Sequence, residues 1–411
     1  MENNNKIILG IVIVAVIASS GFLTAFFIIQ ALNQPQETID SRISGLLSQA
    51  NVPSLSAGII INDTLVWSKG YGDQPDGLDT VYMIGSVTKM FTATAIMQLY
   101  ENNTLELDTD INNYIPFSVR NPNYPSTEIT IRDLLSHTSG ISKIDTPLWS
   151  FDADFLNWSN INLGTNYTIW DPRPTLGDFL NGTLNPAGTY YKPGTWENFA
   201  PGSNWQYSNL AYNLLAYIVE QVTNQTHKHF LQENVLDPLG MNSTGFNYTD
   251  FTGRNAFPYE QEDTGMVKGI LYNLYDIGSG ALRSTIPDLA KFLIAHMNQG
   301  TNDNSQILQP QTVNLMQTSQ ISMYGNELGG FYYTGYGLGW PLFTNSLIGH
   351  GGALPGYLNQ IAFKTVNNGT YGIVFSFNKG SSIVQDDYLL DTFFPSMVNL
   401  LFEEAARLYS Q

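Results

Sequence analysis

The sequence predicts an α+β fold: an antiparallel sheet flanked by helices, carrying an inserted, mainly helical segment at about residues 102–268 and preceded by one transmembrane helix. Three observations carry this reading. Apolar and β-branched runs gather at the two ends of the body of the chain, where strands are expected. Between them the text turns rich in Asn, Pro, Trp and Tyr, with only short helical stretches. Ahead of everything lies a long run without a single charge.

That first run extends from Ile7 to Leu32, after a short tail of residues 1–6. Its 26 residues exceed the ~20 that cross a bilayer as a helix. A cleaved signal has a shorter apolar region, and the small residues Ala18-Ser19-Ser20-Gly21 fall in mid-run rather than at its end. We therefore expect an uncleaved, single-pass anchor in the cell membrane at residues 7–32. Lys6 lies before the span and Glu37 and Asp40 after it, which puts the body on the extracellular side. Residues 33–41 read as a linker and residues 42–411 as the functional domain.

The domain opens with an amphipathic helix to about Ala50. Ser54–Ile61 and Thr64–Lys69 then read as a hairpin around Asn62-Asp63. An apolar helix beginning near Ser86 follows, with Phe91, Ile96 and Leu99 available for packing. Within the insertion, Ile131–Leu135 and Leu210–Val222 are helical, and Pro238 ends another helix. A helix over about Ile286–Met297 has Ser284 or Thr285 as its N-cap. Strand-like runs return at Leu347–His350, Leu358–Lys364 and Tyr371–Phe377, separated by Pro355-Gly356 and Asn367-Asn368-Gly369 turns. A last helix covers about Phe393–Tyr409. The order places the insertion between the second and third strands of one sheet closed by both ends of the domain.

Composition narrows the function classes. The chain has 411 residues, 43% hydrophobic and 13% aromatic, enough for a large core. Its net charge of −18 argues against a nucleic-acid partner, because a phosphate backbone would be repelled. With no cysteine, disulfides and thiolate chemistry are excluded. Nine Asn-x-Ser/Thr sequons fit an exported protein.

Three clusters carry chemistry. The first is Ser86-Val87-Thr88-Lys89. A serine and a lysine three residues apart at a helix start face the same way. A hydroxyl is a poor nucleophile without an adjacent base, and a desolvated, neutral amine can be that base. Ser376-Phe377-Asn378-Lys379 matches the same pattern, but Ser376 closes a strand and Lys379 sits in a turn. The second cluster is Tyr207-Ser208-Asn209, on a loop before a helix, where Tyr207 can relay protons and Asn209 can donate to a substrate carbonyl. The third is His350-Gly351-Gly352, where Gly352 would let a substrate approach the strand edge and His350 would bind or polarise it. His137 reads as a structural hydrogen-bonding residue. His227-Lys228-His229 has ligand-like spacing but reads as an exposed helix, so no metal and no cofactor are expected.

In this order the clusters resemble the serine β-lactamase and D-Ala-D-Ala carboxypeptidase superfamily, in its class C-like branch, which includes esterases and D-aminopeptidases. The stretches Ile129–Gly140 and Gly280–Thr285 add to the likeness, which covers about residues 40–408. The resemblance implies a β-lactamase/transpeptidase-like fold. It also implies that Ser86 is acylated, that Lys89 and Tyr207 share the acid–base work, and that Asn209 orients the substrate. The backbone N–H groups of Ser86 and Ala353 would form the oxyanion hole. One departure matters: where many members carry Lys-Thr-Gly, this chain has His350-Gly351-Gly352, which favours a small peptide, amide or ester substrate over efficient penicillin hydrolysis. The alternative from another class is an inactive surface module that keeps the fold and binds peptide or glycan.

Overall fold

The computed structural model describes residues 38–143, 150–169, 172–262, 265–323, 327–328, 331–366, 369–380 and 388–410. The chain divides into two units, residues 1–45 and 46–411. The expected anchor at residues 7–32 lies outside the described residues. Among the described residues, no helix is long and apolar enough to cross a membrane. A helix, α1, covers Ile39–Ala50, starting earlier than the expected linker allows, because the Thr38 hydroxyl accepts from the Ser41 N–H at 3.1 Å.

The larger unit is built on a nine-stranded sheet. Its strands are β1 (Ser54–Ile61), β2 (Thr64–Gly72), β3 (Ile321–Ser322), β4 (Glu327–Leu328), β5 (Phe331–Tyr336), β6 (Pro341–Phe343), β7 (Ile348–Leu354), β8 (Tyr357–Val366) and β9 (Gly369–Phe377). The spatial order is β4-β5-β6-β7-β8-β9-β1-β2, with β3 beside β5. Strand β1 therefore pairs antiparallel with β9, Leu55 opposite Phe377, and the two ends of the domain close the sheet as expected. The β1–β2 turn holds Asn62 at φ 57°, a conformation asparagine tolerates. The expected Asn367-Asn368 part of the β8–β9 turn lies outside the described residues.

Helix α4 (Ile286–Met297) covers one face of the sheet and α5 (Phe394–Tyr409) the other. The division is visible residue by residue along β9. A side chain at Gly372 would strike Met297 and Leu293 of α4, whereas Phe375 meets Phe394 of α5 edge-on at 5.2 Å. With both faces covered, β1 and β9 read as near-continuous apolar runs rather than alternating ones. Thr285 caps α4, its hydroxyl accepting from the Asp288 N–H.

Helix α2 (Thr88–Glu101) runs through the middle of the unit, with Phe91, Ile96 and Leu99 buried. Phe91 stacks on Phe292 of α4 at 3.8 Å. Its other side packs on α3 (Asn209–Thr223), the main helix of the insertion. The insertion departs from the expectation in one respect. It ends in a hairpin, Tyr259–Glu262 with Gly265–Lys268. The sheet also runs further than expected, through β3 to β6. Of these, β3, β4 and β6 are two or three residues long, too short to show a period of two.

Candidate active site

Ser86 sits where three backbone segments meet. Tyr82–Met83 pairs with Arg283–Ser284, the Ile84 N–H donates to the Leu282 carbonyl at 2.9 Å, and the Leu282 N–H donates to the Thr88 hydroxyl at 3.2 Å. The chain then turns through one 3-10 turn, Gly85–Val87, into α2. Gly85 holds φ 52°, a left-handed conformation that favours glycine, and a Cβ there would lie 3.0 Å from the Ala353 nitrogen. A Cβ on Gly352 would lie 2.0 Å from the Ile84 carbonyl oxygen and 3.3 Å from the Ser86 nitrogen. This corrects the expected role of Gly352. Its missing side chain admits the protein's own Ser86 turn. The Ser86 turn and the Gly352-Ala353 backbone are thereby packed closely against each other.

Lys89 lies one turn beyond Ser86, in the first turn of α2, and is fully buried. Its Nζ donates to the Ser86 Oγ at 3.2 Å and to the Ser279 carbonyl at 2.8 Å. Burial drives its pKa down to about 7, against the opposing pull of the Asp276 carboxylate. Near neutral pH a large share of the amine is therefore unprotonated and can accept the serine proton.

Tyr207 completes the group. Its ring lies 4.9 Å from Lys89 Nζ, and the Ser86 hydroxyl is the side chain that most favours its ionised form. Burial nevertheless raises its pKa far above 10, so it remains a phenol. The loop that carries it is held by the Ile129–Gly140 stretch. Thr130 and Asp133 form a capping box on the helix Ile131–Leu135. Thr138 donates its hydroxyl to Asp133 and accepts at its carbonyl from the Gly202 N–H. His137, at φ 61°, accepts at its carbonyl from the Gln206 N–H at 2.8 Å and at Nδ1 from the Ser208 N–H at 3.1 Å. His137 is thus the structural residue expected, clamping both sides of Tyr207. Ser208 caps α3, and Asn209 opens that helix with its amide oxygen buried and without a hydrogen-bond partner.

His350 lies near this group but is not a free ligand. Its ring is 6.4 Å from that of Tyr207 and almost wholly buried. Nδ1 donates to the Gly351 carbonyl at 2.6 Å, which leaves Nε2 to accept from the Tyr336 hydroxyl at 3.3 Å. Burial holds its pKa down at about 3, so it is neutral. The expectation that it meets substrate at the cleft mouth does not fit this packing. His227 departs from expectation too: it is buried, against Thr92, while His229 is exposed beside Glu233. The second Ser-x-x-Lys match does not converge. Ser376 pairs with Ser56 inside the sheet and Lys379 donates to the Ala50 carbonyl. Among the described residues, no cluster of three metal-ligating side chains occurs.

Sequence reasoning missed the aromatic wall of the site and its buried carboxylate. Trp205, Tyr333 and Tyr336 pack about one another at 6.2–6.4 Å from the Trp205 ring, and Tyr336 touches His137 at 4.9 Å. Asp276 is also buried, and its charge favours the protonated form of Lys89. Arg283, inside the Gly280–Thr285 stretch, is buried and donates to Asn255 and to the Tyr272 carbonyl, which fixes the strand beside Met83.

The family model described as Beta-lactamase matches residues 39–391. Protein flp of Staphylococcus aureus (strain N315) is 30% identical over 363 residues, 86% of this chain and 65% of that protein, so the chain spans less than two thirds of this relative's length. Among solved structures, the octameric penicillin-binding protein homologue from Pyrococcus abyssi is 25% identical with a TM-score of 0.69, covering 90% of this chain and 76% of that one. The D-amino acid amidase from Ochrobactrum anthropi SV3 shares the fold, with a TM-score of 0.66 and 20% identity over 89% of this chain and 98% of its own.

Proposed function

This chain belongs to the beta-lactamase family, and on that premise we propose that it is a serine hydrolase acting on small amides or esters through a Ser86 acyl-enzyme. The observation that carries the reading is the contact between Ser86 Oγ and a fully buried Lys89 amine. Lys89 takes the Ser86 proton as Oγ attacks the carbonyl carbon. The oxyanion forms beside the Ser86 and Ala353 amides. The Tyr207 phenol, whose ring packs 4.9 Å from Lys89 Nζ, hands the proton on, so the bond to the leaving amine or alcohol breaks as that group is protonated. Water then attacks the acyl ester, giving its proton back through the same pair, and the free acid leaves with Ser86 restored. Asn209 supplies an amide to orient the substrate carbonyl.

Substrate class follows from charge. Strand β7, Ile348–Leu354, contains no lysine or arginine, and His350 is neutral. A substrate carboxylate finds no cation on this strand itself, which supports neutral amides and esters over penicillins. For the N-terminal segment we keep the sequence reading: residues 7–32 anchor the enzyme with its catalytic body outside the cell.

The test is intact-protein mass spectrometry of the protein after exposure to a fluorophosphonate and, separately, a penicillin, with Ser86→Ala in parallel. A fluorophosphonate adduct that disappears in Ser86→Ala supports the hydrolase. No adduct with either reagent points to the non-catalytic binding module instead.

A further inference from the structure

Lys89 is held from two sides, and only one of them belongs to the serine helix. Its second partner is the Ser279 carbonyl, presented by the turn Asp276–Gly280. That turn is unusually well braced. The Ser279 and Gly280 N–H groups both donate to the Asp276 carbonyl, at 3.2 and 2.9 Å. The Gly278 N–H donates to the Asn213 amide oxygen at 3.2 Å, and the Gly278 carbonyl accepts from the Thr92 hydroxyl at 2.8 Å. A side chain at Gly278 would strike the Tyr212 carbonyl at 2.1 Å. The turn is therefore clamped between α2 and α3, the helices that carry Lys89 and Asn209.

The side chain of Asp276 points inward from this turn. It accepts from the Asn213 amide nitrogen, so Asn213 holds both the backbone of the turn and its carboxylate. Asn213 is fully buried and Asp276 nearly so. A buried carboxylate is costly unless something cationic faces it. The cation whose charge favours the ionised form of Asp276 is Lys89, whose amine is bonded to the same turn through the Ser279 carbonyl at 2.8 Å. The other groups around that amine carry no charge. Ser86 lies on its own helix turn, Tyr207 and Tyr212 present phenol rings at 4.9 and 5.7 Å, and His137 and His350 are neutral imidazoles.

We infer that Asp276 is a positioning residue of the catalytic group, shaping the turn that gives Lys89 its carbonyl partner and placing a carboxylate in that turn beside the lysine's backbone anchor. The inference rests on the hydrolase reading above. Its physical consequence is a balance. Burial lowers the proton affinity of Lys89, and the Asp276 carboxylate opposes that shift. The carboxylate restores part of that proton affinity, so that Lys89 exchanges a proton near neutrality.

The experiment compares wild type, Asp276→Asn and Asp276→Glu in the full chain. The readouts are kcat/KM for a p-nitrophenyl ester and the rate of Ser86 labelling by a fluorophosphonate, each across pH 4.5–9. In wild type both rise on an acid limb near pH 7. Asp276→Asn removes the charge but keeps the shape, so Lys89 loses its proton more easily and the limb moves down by about one pH unit, within the 1–3 units typical of a close opposite charge. Asp276→Glu returns the limb toward its wild-type position. A role confined to folding would lower the rate or the melting temperature and leave the limb in place. If the Asn variant does not fold, Asp276→Ser carries the same test with a smaller neutral side chain. Labelling of wild type with an unmoved limb in the neutral variants overturns this inference alone. Absence of Ser86 labelling in wild type overturns the hydrolase reading and this inference with it.

Discussion

Lys89 Nζ stands 3.2 Å from Ser86 Oγ with no part of the lysine exposed to solvent. The pairing is a helical i, i+3 contact at the start of α2, so the sequence spacing and the chemistry coincide. Lys89→Arg tests whether the lysine acts as a base or only as a charge. A guanidinium keeps its proton at any working pH, so it preserves a cation and abolishes the base. We expect Lys89→Arg and Lys89→Met to fall together, by about 10²–10⁴-fold in kcat, the usual range for a lost general base. Near-wild-type turnover in Lys89→Arg, measured with a p-nitrophenyl ester, would remove the lysine from the proton path.

Tyr207→Phe isolates the proton carrier. The phenol is buried and stays protonated, so it acts as a donor rather than as a phenolate. The variant keeps the ring that packs at 4.4 Å against His137 and loses only the hydroxyl. We expect kcat to fall about 10²–10⁴-fold, with the melting temperature close to wild type. The loss is expected to shrink for esters with good leaving groups, which need little protonation. A uniform loss across p-nitrophenyl and alkyl esters would place Tyr207 in binding instead.

Much of this was readable in the chain because local signals carried it. The Ser86 helix and the Thr285 cap of α4 follow from an apolar run and capping chemistry in contiguous text, and the pairing of β1 with β9 from the order of the elements. The site was legible as three motifs but not as a geometry. Gly352 looked like room for a substrate, because a glycine shows only that space is needed and not what fills it. His350 looked like a ligand, because nothing beside it in sequence reveals that Tyr336 covers its ring nitrogen. Ser279, 190 residues from Lys89, carries no local mark of the contact it makes. Asp276 is a lone acid in a glycine-rich turn, and its meaning comes entirely from Asn213 and Lys89 across the fold.

Gly352→Ala follows from the corrected role of that glycine. The added methyl would meet the Ile84 carbonyl at 2.0 Å, backbone against backbone, so either β7 or the Ser86 turn has to move. Such overpacking typically costs about 1–3 kcal/mol. We expect a lower melting temperature and slower fluorophosphonate labelling of Ser86, because the same methyl lies 3.3 Å from the Ser86 amide. If Gly352 instead served substrate entry, the variant would keep its melting temperature and lose affinity only for bulky esters. Calorimetry and a series of ester sizes separate the two outcomes.

Acid stability draws on four buried histidines, His137, His227, His296 and His350, all held below the ordinary histidine pKa by burial. Thr92 donates its hydroxyl to the Gly278 carbonyl, so His227 Nε2 is the donor to Thr92 and its buried Nδ1 has no hydrogen-bond partner. Thr94 donates to the Met90 carbonyl, which puts His296 in the same tautomer, again with Nδ1 unpartnered. His350 has its acceptor nitrogen on Tyr336. Protonating any of them buries a cation, and burial holds the folded-state pKa of His227, His296 and His350 at about 3, and that of His137 likewise well below the 6.5 of an unfolded histidine. Their contribution to stability is therefore complete above pH 6.5 and is lost as pH falls toward 3, because the unfolded chain binds the extra protons. Each histidine contributes a slope approaching about 1.4 kcal/mol per pH unit in that window. The half-buried carboxyls of Asp133 and Glu220 and the buried one of Asp276 act the other way, since desolvation raises them and they take protons earlier when folded. We expect the histidines to dominate between pH 6 and 4.5, with denaturant midpoints falling steadily. His296→Gln keeps an N–H for Thr94 but does not titrate, so its midpoint should fall less steeply over the same range. An identical slope in wild type and His296→Gln would show that this histidine does not couple to unfolding.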